Sequence, residues 1–237
     1  MDRVSVCGLF VHNVSMDQAV AECLRLIEHG GPAAVYTPNA EMAKLALDEP
    51  EFMALLNSAD LVIPDGAGVV LASKMLRRPL QEKVAGVELA EHLLPELERT
   101  GARLFLFGGK PGIAEKAAGI MLQRHPGLNI CGTADGYFTE DVQRTELIRA
   151  AGAQVVYVCL GAPKQERFIH RNKESCGALM LGLGGTLDVI SGEVARAPDF
   201  YIKHNLEWLY RGALDPKRWR RLLKIPAFLW DVARYKG

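Results

Sequence analysis

Short polar, glycine-rich segments that follow apolar runs hold the residues of this chain that are best suited to chemistry. Asp65 lies in one of them, PDGAG at 64–68, directly after the apolar run 61–63. The neighbouring Gly66 would let a substrate approach closely, so this carboxylate could act as a general base on an attacking hydroxyl group. The alternative is that Asp65 only caps the helix predicted to begin near Ala67.

The segment TPNAE at 37–41 presents two small polar side chains, Thr37 and Asn39, after the apolar run 33–37. Both side chains could hydrogen-bond a ligand. Asn39 could equally cap the helix that follows, and local chemistry does not separate the two interpretations.

Four more segments of this kind lie at 108–112 (GGKPG), 135–138 (DGYF), 161–166 (GAPKQE) and 184–188 (GGTLD). Backbone amides and the helix dipole at GGKPG could hold a phosphate, although many turns of this type contain glycine only for steric reasons. Six such segments exceed what packing needs, and together they predict a binding site for a nucleotide-type ligand. The candidate binding residues in them are Thr37, Asn39, Gly66, Gly108, Gly109, Asp135, Gly136, Tyr137, Gly161, Pro163, Gln165, Glu166, Gly185 and Asp188.

The elements that would position these segments alternate between apolar strands and amphipathic helices. The predicted strands are 3–7, 33–37, 61–63, 103–107, 128–131, 155–160 and 178–183. The predicted helices are 16–29, 40–57, 67–76, 88–99, 111–124, 141–151 and 163–172. This order predicts an α/β fold with a mostly parallel sheet covered by helices on both faces. In such a sheet the ligand site lies beyond the carboxyl ends of the strands, where the six segments fall.

Several familiar sites are missing from the sequence. It contains no GxGxxG dinucleotide motif, no P-loop motif, no GxSxG elbow and no DxD pair of the kind that holds a metal in nucleotide-sugar transferases. The five cysteines and six histidines are scattered without metal-ligand spacing, which predicts reduced, buried thiols and no zinc. We therefore expect no metal and no other cofactor, with basic side chains and backbone amides neutralising any diphosphate.

Charge is distributed unevenly along the 237 residues, although the formal net charge is zero. Residues 196–237 hold ten basic and four acidic side chains, a net charge of +6, and all three tryptophans. The remaining residues carry a net charge of −6, so no general basic field suggests a nucleic-acid partner. Composition thus divides the chain into a core at 1–195 and a basic, tryptophan-containing helical appendage at 196–237.

The chain begins without the pattern of a signal peptide, and no stretch has the roughly 18–20 apolar residues that a membrane-spanning helix needs. These observations predict a cytoplasmic protein. Nothing in the sequence decides its oligomeric state, and a homo-oligomer is compatible with it.

In order and spacing, these motifs resemble the WecG/TagA/CpsF family of bacterial glycosyltransferases (glycosyltransferase family 26), from about residue 4 to about residue 230. The matching segments are TPNAE (37–41), LVIPDGAGVV (61–70), VAGVEL (84–89), FLFGG (105–109), GYF (136–138), GAPKQE (161–166), GLGGTLD (182–188), APDF (197–200) and LEWLYR (206–211).

The resemblance implies a Rossmann-like core and a metal-independent, inverting transfer. In the TagA-like branch, N-acetylmannosamine (ManNAc) moves from a UDP donor to N-acetylglucosamine (GlcNAc) on a polyprenyl (undecaprenyl) diphosphate. The product is the ManNAc-β-1,4-GlcNAc linkage unit of wall teichoic acid or a related surface polysaccharide. UDP-N-acetylmannosaminuronic acid or UDP-glucose as donor, and a non-enzymatic nucleotide-binding membrane scaffold, are the alternatives.

The resemblance also implies roles for individual residues. Asp65 matches the family's catalytic base, and Thr37, Asn39 and Gln165 match residues around the sugar and the acceptor. Lys83 stands where an arginine is expected, which keeps the charge but loses the bidentate geometry of a guanidinium group. The arginines that close over the donor diphosphate in the TagA branch correspond to Arg211, Arg218 and Arg221.

The appendage has the composition of a membrane-contacting surface, with Trp208, Trp219, Phe228 and Trp230 among basic residues. Aromatic rings would lie at headgroup depth and basic side chains would meet anionic lipid. The expected location is the inner face of the bacterial cell membrane, with peripheral attachment. The alternative is that these aromatic side chains pack the appendage onto the core.

Overall fold

The structure, a computed structural model, describes residues 1–195, 198, 200–201 and 224–235. The strands are β1 (Arg3–Val6), β2 (Leu9–His12), β3 (Ala33–Tyr36), β4 (Leu61–Val62), β5 (Leu104–Gly108), β6 (Ile130–Ala134), β7 (Val155–Cys159) and β8 (Leu179–Gly182). The helices are α1 (Met16–His29), α2 (Ala40–Asp48), α3 (Pro50–Asn57), α4 (Ala67–Met75), α5 (Gly86–Thr100), α6 (Ile113–Arg124), α7 (Asp141–Ala150), α8 (Lys164–Cys176), α9 (Thr186–Ile190) and α10 (Lys224–Arg234).

Six strands form one sheet in the order β4-β3-β8-β7-β5-β6, and every neighbouring pair is parallel. The predicted α/β class and parallel sheet are therefore confirmed. Because all six strands point the same way, their carboxyl ends and the loops that follow them meet at one edge of the sheet.

Two apolar layers cover the sheet. Buried side chains of α2, α3, α4, α7, α8 and α10 pack on one face, and those of α1, α5, α6 and α9 pack on the other. β3 is followed by α2 on the first face and its neighbour β8 by α9 on the second, so their following loops diverge. A crevice between diverging loops is where open parallel sheets bind ligands.

The structure differs from the predicted elements in three places. The predicted helix 40–57 is two helices, because Pro50 occupies the first position of α3 and cannot continue α2. Residues 9–12 form a second strand that pairs with β1 as an antiparallel hairpin through a turn at Cys7 and Gly8, both with positive φ. The segment GGTLD opens a five-residue helix, α9, that the sequence pattern was too short to indicate.

Helix α10 lies on the core rather than apart from it. Phe228 and Val232 are buried in the same apolar layer as Val69 and Ala72 of α4. Two ion pairs accompany this packing, Lys44 with Asp231 at 3.1 Å and Lys224 with Glu41 at 3.7 Å. The expectation that Phe228 faces a membrane is wrong, and the alternative that it packs the appendage onto the core is correct for this residue.

All five cysteines are unpaired, as predicted, and four of them are buried. Burial raises the pKa of Cys7 to about 11 and the pKa of Cys23 to about 12. These thiols stay protonated at neutral pH and act as small apolar side chains. Among the described residues, no helix is long and apolar enough to cross a membrane.

Candidate active site

The loop that carries Asp65 is attached to the loop that carries Asn39. The backbone amide of Asp65 donates to the carbonyl of Pro38 at 3.2 Å, and a Cβ on Gly66 would lie 3.7 Å from Cβ of Asn39. Gly66, with φ of 93°, occupies the N-cap position of α4. Asp65 lies one residue before that cap and is half-buried, so it is not itself the N-cap residue of α4.

Close packing of the two following helices fixes the spacing of these loops. A Cβ on Gly68 in the first turn of α4 would lie only 2.6 Å from Cβ of Ala40, the first residue of α2. Only glycine allows this approach. The helix starts behind Asn39 and Asp65 are therefore held against each other.

Asn39 and Thr37 both make local structural contacts. Oδ1 of Asn39 accepts from the amide of Met42 at 3.1 Å and caps α2, while the residue as a whole is exposed. The buried hydroxyl of Thr37 donates to the carbonyl of Gly182 at 2.8 Å and so joins the ends of β3 and β8. Contact of either side chain with substrate stays a prediction.

Gln165 is buried in the first turn of α8 and links two loops. Its Oε1 accepts from the amide of Gly161, after β7, at 3.2 Å, and from the amide of Gly184, after β8, at 2.9 Å. Its Nε2 donates to Oε1 of Glu166 at 2.7 Å. Oε1 and one N–H of Nε2 are thus engaged within the protein, and contact of Gln165 with the sugar or the acceptor stays a prediction.

Glu166 is fully buried beside Gly182. Its Oε2 has no hydrogen-bond partner among the described residues. Burial raises the pKa of the Glu166 carboxyl to about 7, although the hydrogen bond from Gln165 opposes the shift. The prediction grouped Glu166 with residues that touch substrate, whereas the structure places it beneath the loops that would do so.

The glycines after β5 and β6 serve packing. A Cβ on Gly108 would lie 2.1 Å from the carbonyl oxygen of Cys159, and a Cβ on Gly109 would lie 2.7 Å from Ile113. The amide of Gly109 donates to Cys159, and the amide of Gly136 donates to Gly109. The amide of Gly109 is therefore engaged in joining strand ends, and binding of a phosphate by the other amides of GGKPG stays a prediction.

The DGYF loop presents one exposed aromatic side chain. Asp135 accepts from the amide of Tyr137 at 2.7 Å and pairs with Arg144 at 3.1 Å, while 65% of Tyr137 is exposed. Lys164 donates to the carbonyl of Gly136 and lies 4.3 Å from the centre of the Phe138 ring. Lys164 and Gln165, adjacent in α8, thus contact different loops: Lys164 the loop after β6, and Gln165 the loops after β7 and β8.

The remaining predicted residues lie at the same edge of the sheet. The loop of Lys83 is tied to the Asp65 loop by a hydrogen bond from the amide of Val84 to the carbonyl of Pro64 at 3.0 Å. Pro163 and Gly185 occupy the N-cap positions of α8 and α9. Asp188 lies in the first turn of α9, near enough to the buried Cys159 to contribute to the raised pKa of that thiol.

The structure therefore brings the predicted residues from Thr37 to Asp188 to one edge. Arg211, Arg218 and Arg221 lie outside the described residues, as do Trp208 and Trp219. Within the described ranges, no group of three or more histidine, cysteine, aspartate or glutamate side chains could hold a metal ion.

Sequence reasoning missed the link from Glu166 through Gln165 to the two glycine loops. The sequence shows two adjacent polar residues at a helix start, but the space that Gly182 leaves for them at the end of β8 comes from packing between distant segments. Burial of both side chains could not be read from the motif alone.

Comparison with known proteins places this site in a family. The chain matches the Glycosyl transferase WecG/TagA/CpsF family over residues 4–237. It is 38% identical over 205 residues to the N-acetylglucosaminyldiphosphoundecaprenol N-acetyl-β-D-mannosaminyltransferase of Bacillus spizizenii strain W23, covering 86% of this chain and 80% of that protein. The proteins of the same name from Bacillus subtilis strain 168 and Staphylococcus aureus strain NCTC 8325 are 36% and 31% identical, covering 85% and 99% of this chain and 79% and 93% of their own. The chain therefore belongs to the WecG/TagA/CpsF family of glycosyl transferases.

Proposed function

We propose that this protein transfers N-acetylmannosamine from UDP-ManNAc to the 4-hydroxyl of GlcNAc on undecaprenyl diphosphate. The product would carry the ManNAc-β-1,4-GlcNAc linkage used in wall teichoic acid or a related polymer. The observation that carries this proposal is the similarity of nearly the whole chain to three relatives named for this transfer to this lipid-linked acceptor. These names favour ManNAc over the alternative donors.

Asp65 is the proposed general base. Inversion by a single displacement needs one carboxylate to take the proton from the acceptor hydroxyl as its oxygen attacks the anomeric carbon. Asp65 directly precedes Gly66, the N-cap residue of α4, and it lies on a loop held against the Asn39 loop at the carboxyl edge of the sheet. This placement supports a role for its carboxylate in the crevice.

Basic side chains are proposed to stabilise the leaving UDP without a metal. Negative charge develops on the diphosphate as the glycosidic bond breaks, and arginine can meet it with paired hydrogen bonds. Lys83, on the loop tied to Asp65, is one candidate. Arg211, Arg218 and Arg221 are the others, on the strength of the motif that they share with the family.

The appendage is proposed to contact an anionic membrane on the cytoplasmic side, where the lipid-linked acceptor resides. Supporting this, 64% of Trp230 is exposed on α10, opposite the buried Phe228, and the Arg234 guanidinium lies 5.9 Å from the centre of its ring. An exposed aromatic ring beside basic side chains is typical of an interfacial helix. Sedimentation with phosphatidylglycerol vesicles should show weaker binding for W230A than for the exposed control L147A, and equal binding would contradict this part.

A donor–acceptor assay tests the proposed reaction. The protein is incubated with UDP-ManNAc, UDP-N-acetylmannosaminuronic acid or UDP-glucose and a short-chain polyprenyl-diphosphate-GlcNAc. UDP release is measured, and the anomeric configuration of the product is determined by NMR. We expect turnover with UDP-ManNAc, a β-linked product and full activity in EDTA. Preference for another donor would overturn the substrate assignment, and a strict need for divalent metal would overturn the role of the basic side chains.

A further inference from the structure

The hydrogen bonds of Gln165 require a defined orientation of its carboxamide. On one side two backbone donors, the amides of Gly161 and Gly184, need an acceptor. On the other side Oε1 of Glu166 offers an acceptor 2.7 Å from Nε2. A half-turn of the carboxamide would place its NH₂ group against two N–H groups, so the three contacts together fix one orientation.

We propose that Glu166 is a positioning residue, which fixes the Gln165 carboxamide so that it joins the loop after β7 to the loop after β8. Both loops belong to the carboxyl edge, at which the donor and acceptor are proposed to bind. Glu166 itself lies beneath them and does not touch substrate. The kinetic part of this inference rests on the proposed function.

The surroundings of Glu166 are adapted to an uncharged carboxyl group. The side chain fills the space that Gly182 leaves open, where a Cβ would lie 3.3 Å from its Oε1 and 3.1 Å from Nε2 of Gln165. Its Oε2 has no partner among the described residues, and no cation is paired with it. Burial without a paired cation disfavours the carboxylate, whereas a carboxylic acid accepts from Gln165 through Oε1 and carries its proton on Oε2.

Few titratable groups surround it. From β3, the buried Tyr36 hydroxyl donates to the backbone carbonyl of Glu166 at 3.3 Å, and burial raises the pKa of that hydroxyl. Glu49, the N-cap residue of α3, and Asp141 of α7 pair with Arg167 and Arg171 on the exposed face of α8. On the face of the sheet that α8 covers, the strands β7 and β8 contribute only apolar residues and Gly182.

A consequence is that the link between the loops depends on pH. The pKa of about 7 places the loss of the Glu166 proton near neutrality. Above this pH an unpaired buried charge forms, and conformations that hydrate it by releasing Gln165 and the two loops are favoured. The variant E166Q keeps an acceptor for Gln165 and a hydrogen-bearing group in the place of Oε2, but it cannot ionise.

NMR on protein labelled with ¹⁵N-glycine tests this inference without an activity measurement. We expect the amide signals of Gly161 and Gly184 to shift with a midpoint near pH 7 in the wild type and in E174Q, an exposed control on the same helix. In E166Q these shifts should be absent. Shifts that persist in E166Q, or signals that do not titrate in the wild type, would overturn the proposal.

Kinetics supply the second readout. E166A should lower kcat by roughly 10- to 100-fold because the loops lose their register, and E166Q should recover most of that loss. When the pH rises from 6.5 to 8.5, kcat of the wild type should fall by a factor about ten times larger than the factor for E166Q. An E166Q variant as impaired as E166A would show that the carboxyl acts in another way. Absence of transfer by the wild type would refute the proposed function and leave the NMR test standing.

Discussion

The Asp65 loop and the first turn of α8 place two acidic residues at the same edge of the sheet, in opposite surroundings. Asp65 is half-buried on a loop between β4 and α4, and glycine rather than this aspartate occupies the helix cap. Glu166 is fully buried between α8 and Gly182. A group that exchanges a proton with a substrate hydroxyl must be reachable, whereas a group that only orients its neighbours can be enclosed and uncharged. Motif membership alone did not separate these two roles.

The largest expected effect concerns Asp65. D65N removes the proposed base while preserving side-chain size, so kcat should fall by roughly 10²- to 10⁴-fold. The free energy of unfolding should change by less than about 1 kcal/mol, because asparagine keeps the size of the side chain and one acceptor oxygen. Steady-state transfer assays measure the loss of kcat, and urea unfolding measures the change in stability. D17N, at an exposed aspartate of α1, is the matched control. Unchanged turnover in D65N would show that Asp65 is not the general base, and the contrast in role between Asp65 and Glu166 would then be lost.

The second effect is the pH dependence of stability that Glu166 contributes. Its pKa is about 7 in the folded protein against an ordinary value of 4.5, so the unfolded chain loses this proton first as pH rises. The contribution of Glu166 to the free energy of unfolding is therefore fully present below pH 4.5 and is lost as the pH rises through 7. The total loss should be up to about 3 kcal/mol. Urea unfolding from pH 4 to 8 should show this decline in the wild type relative to E166Q. Parallel curves would mean that Glu166 ionises as readily in the folded as in the unfolded chain.

Gln165 should give the third effect. Q165A leaves the amides of Gly161 and Gly184 without their acceptor, which should cost about 2–3 kcal/mol in the free energy of unfolding. Q154A is a useful control, because that exposed glutamine accepts one amide hydrogen bond at the opposite end of β7. Equal losses in the two variants would argue against a special role for the link at the site.

Thr37 should give the smallest effect. T37V removes the hydrogen bond to the carbonyl of Gly182 and should cost about 1 kcal/mol, while T37S keeps the hydroxyl and should cost less. If Thr37 also touches the sugar, as the family resemblance implies, T37V should lower kcat/KM by more than its loss of stability explains. Normal kinetics in T37V would assign this hydroxyl to the scaffold alone.

Much of the fold was predictable, because periodicity and strand-end chemistry are local properties of the sequence. The parallel sheet and the placement of Asp65, Asn39 and Gln165 at one edge follow from them. The β2 strand was missed because only Cys7 and Gly8 separate it from β1, and cysteine is not a usual residue at the positive φ that this turn requires. The division of the helix at Pro50 could have been read from the proline itself.

The candidate site was predictable as a location and less so as a set of roles. Glycines at 108 and 109 look alike whether they make room for a phosphate or for protein atoms. Only the structure shows that a Cβ on Gly108 would meet Cys159 of β7 and that a Cβ on Gly109 would meet Ile113 of α6. The burial of Glu166 depends on a gap at Gly182, a residue distant in sequence. Long-range packing of this kind leaves no local pattern.

The anchoring of α10 determines how the basic appendage can be studied and how it could have evolved. Phe228 and Val232 complete the apolar layer over α2 and α4, the helices that begin immediately behind Asn39 and Asp65. A truncation at residue 196 would therefore uncover apolar surface behind the site as well as remove arginines. Such a segment cannot be exchanged between relatives as an independent module, because each replacement must also repack that layer. Point substitutions at Arg211, Arg218 and Arg221, the arginines proposed to bind the diphosphate, would test that proposal while leaving Phe228 and Val232 unchanged.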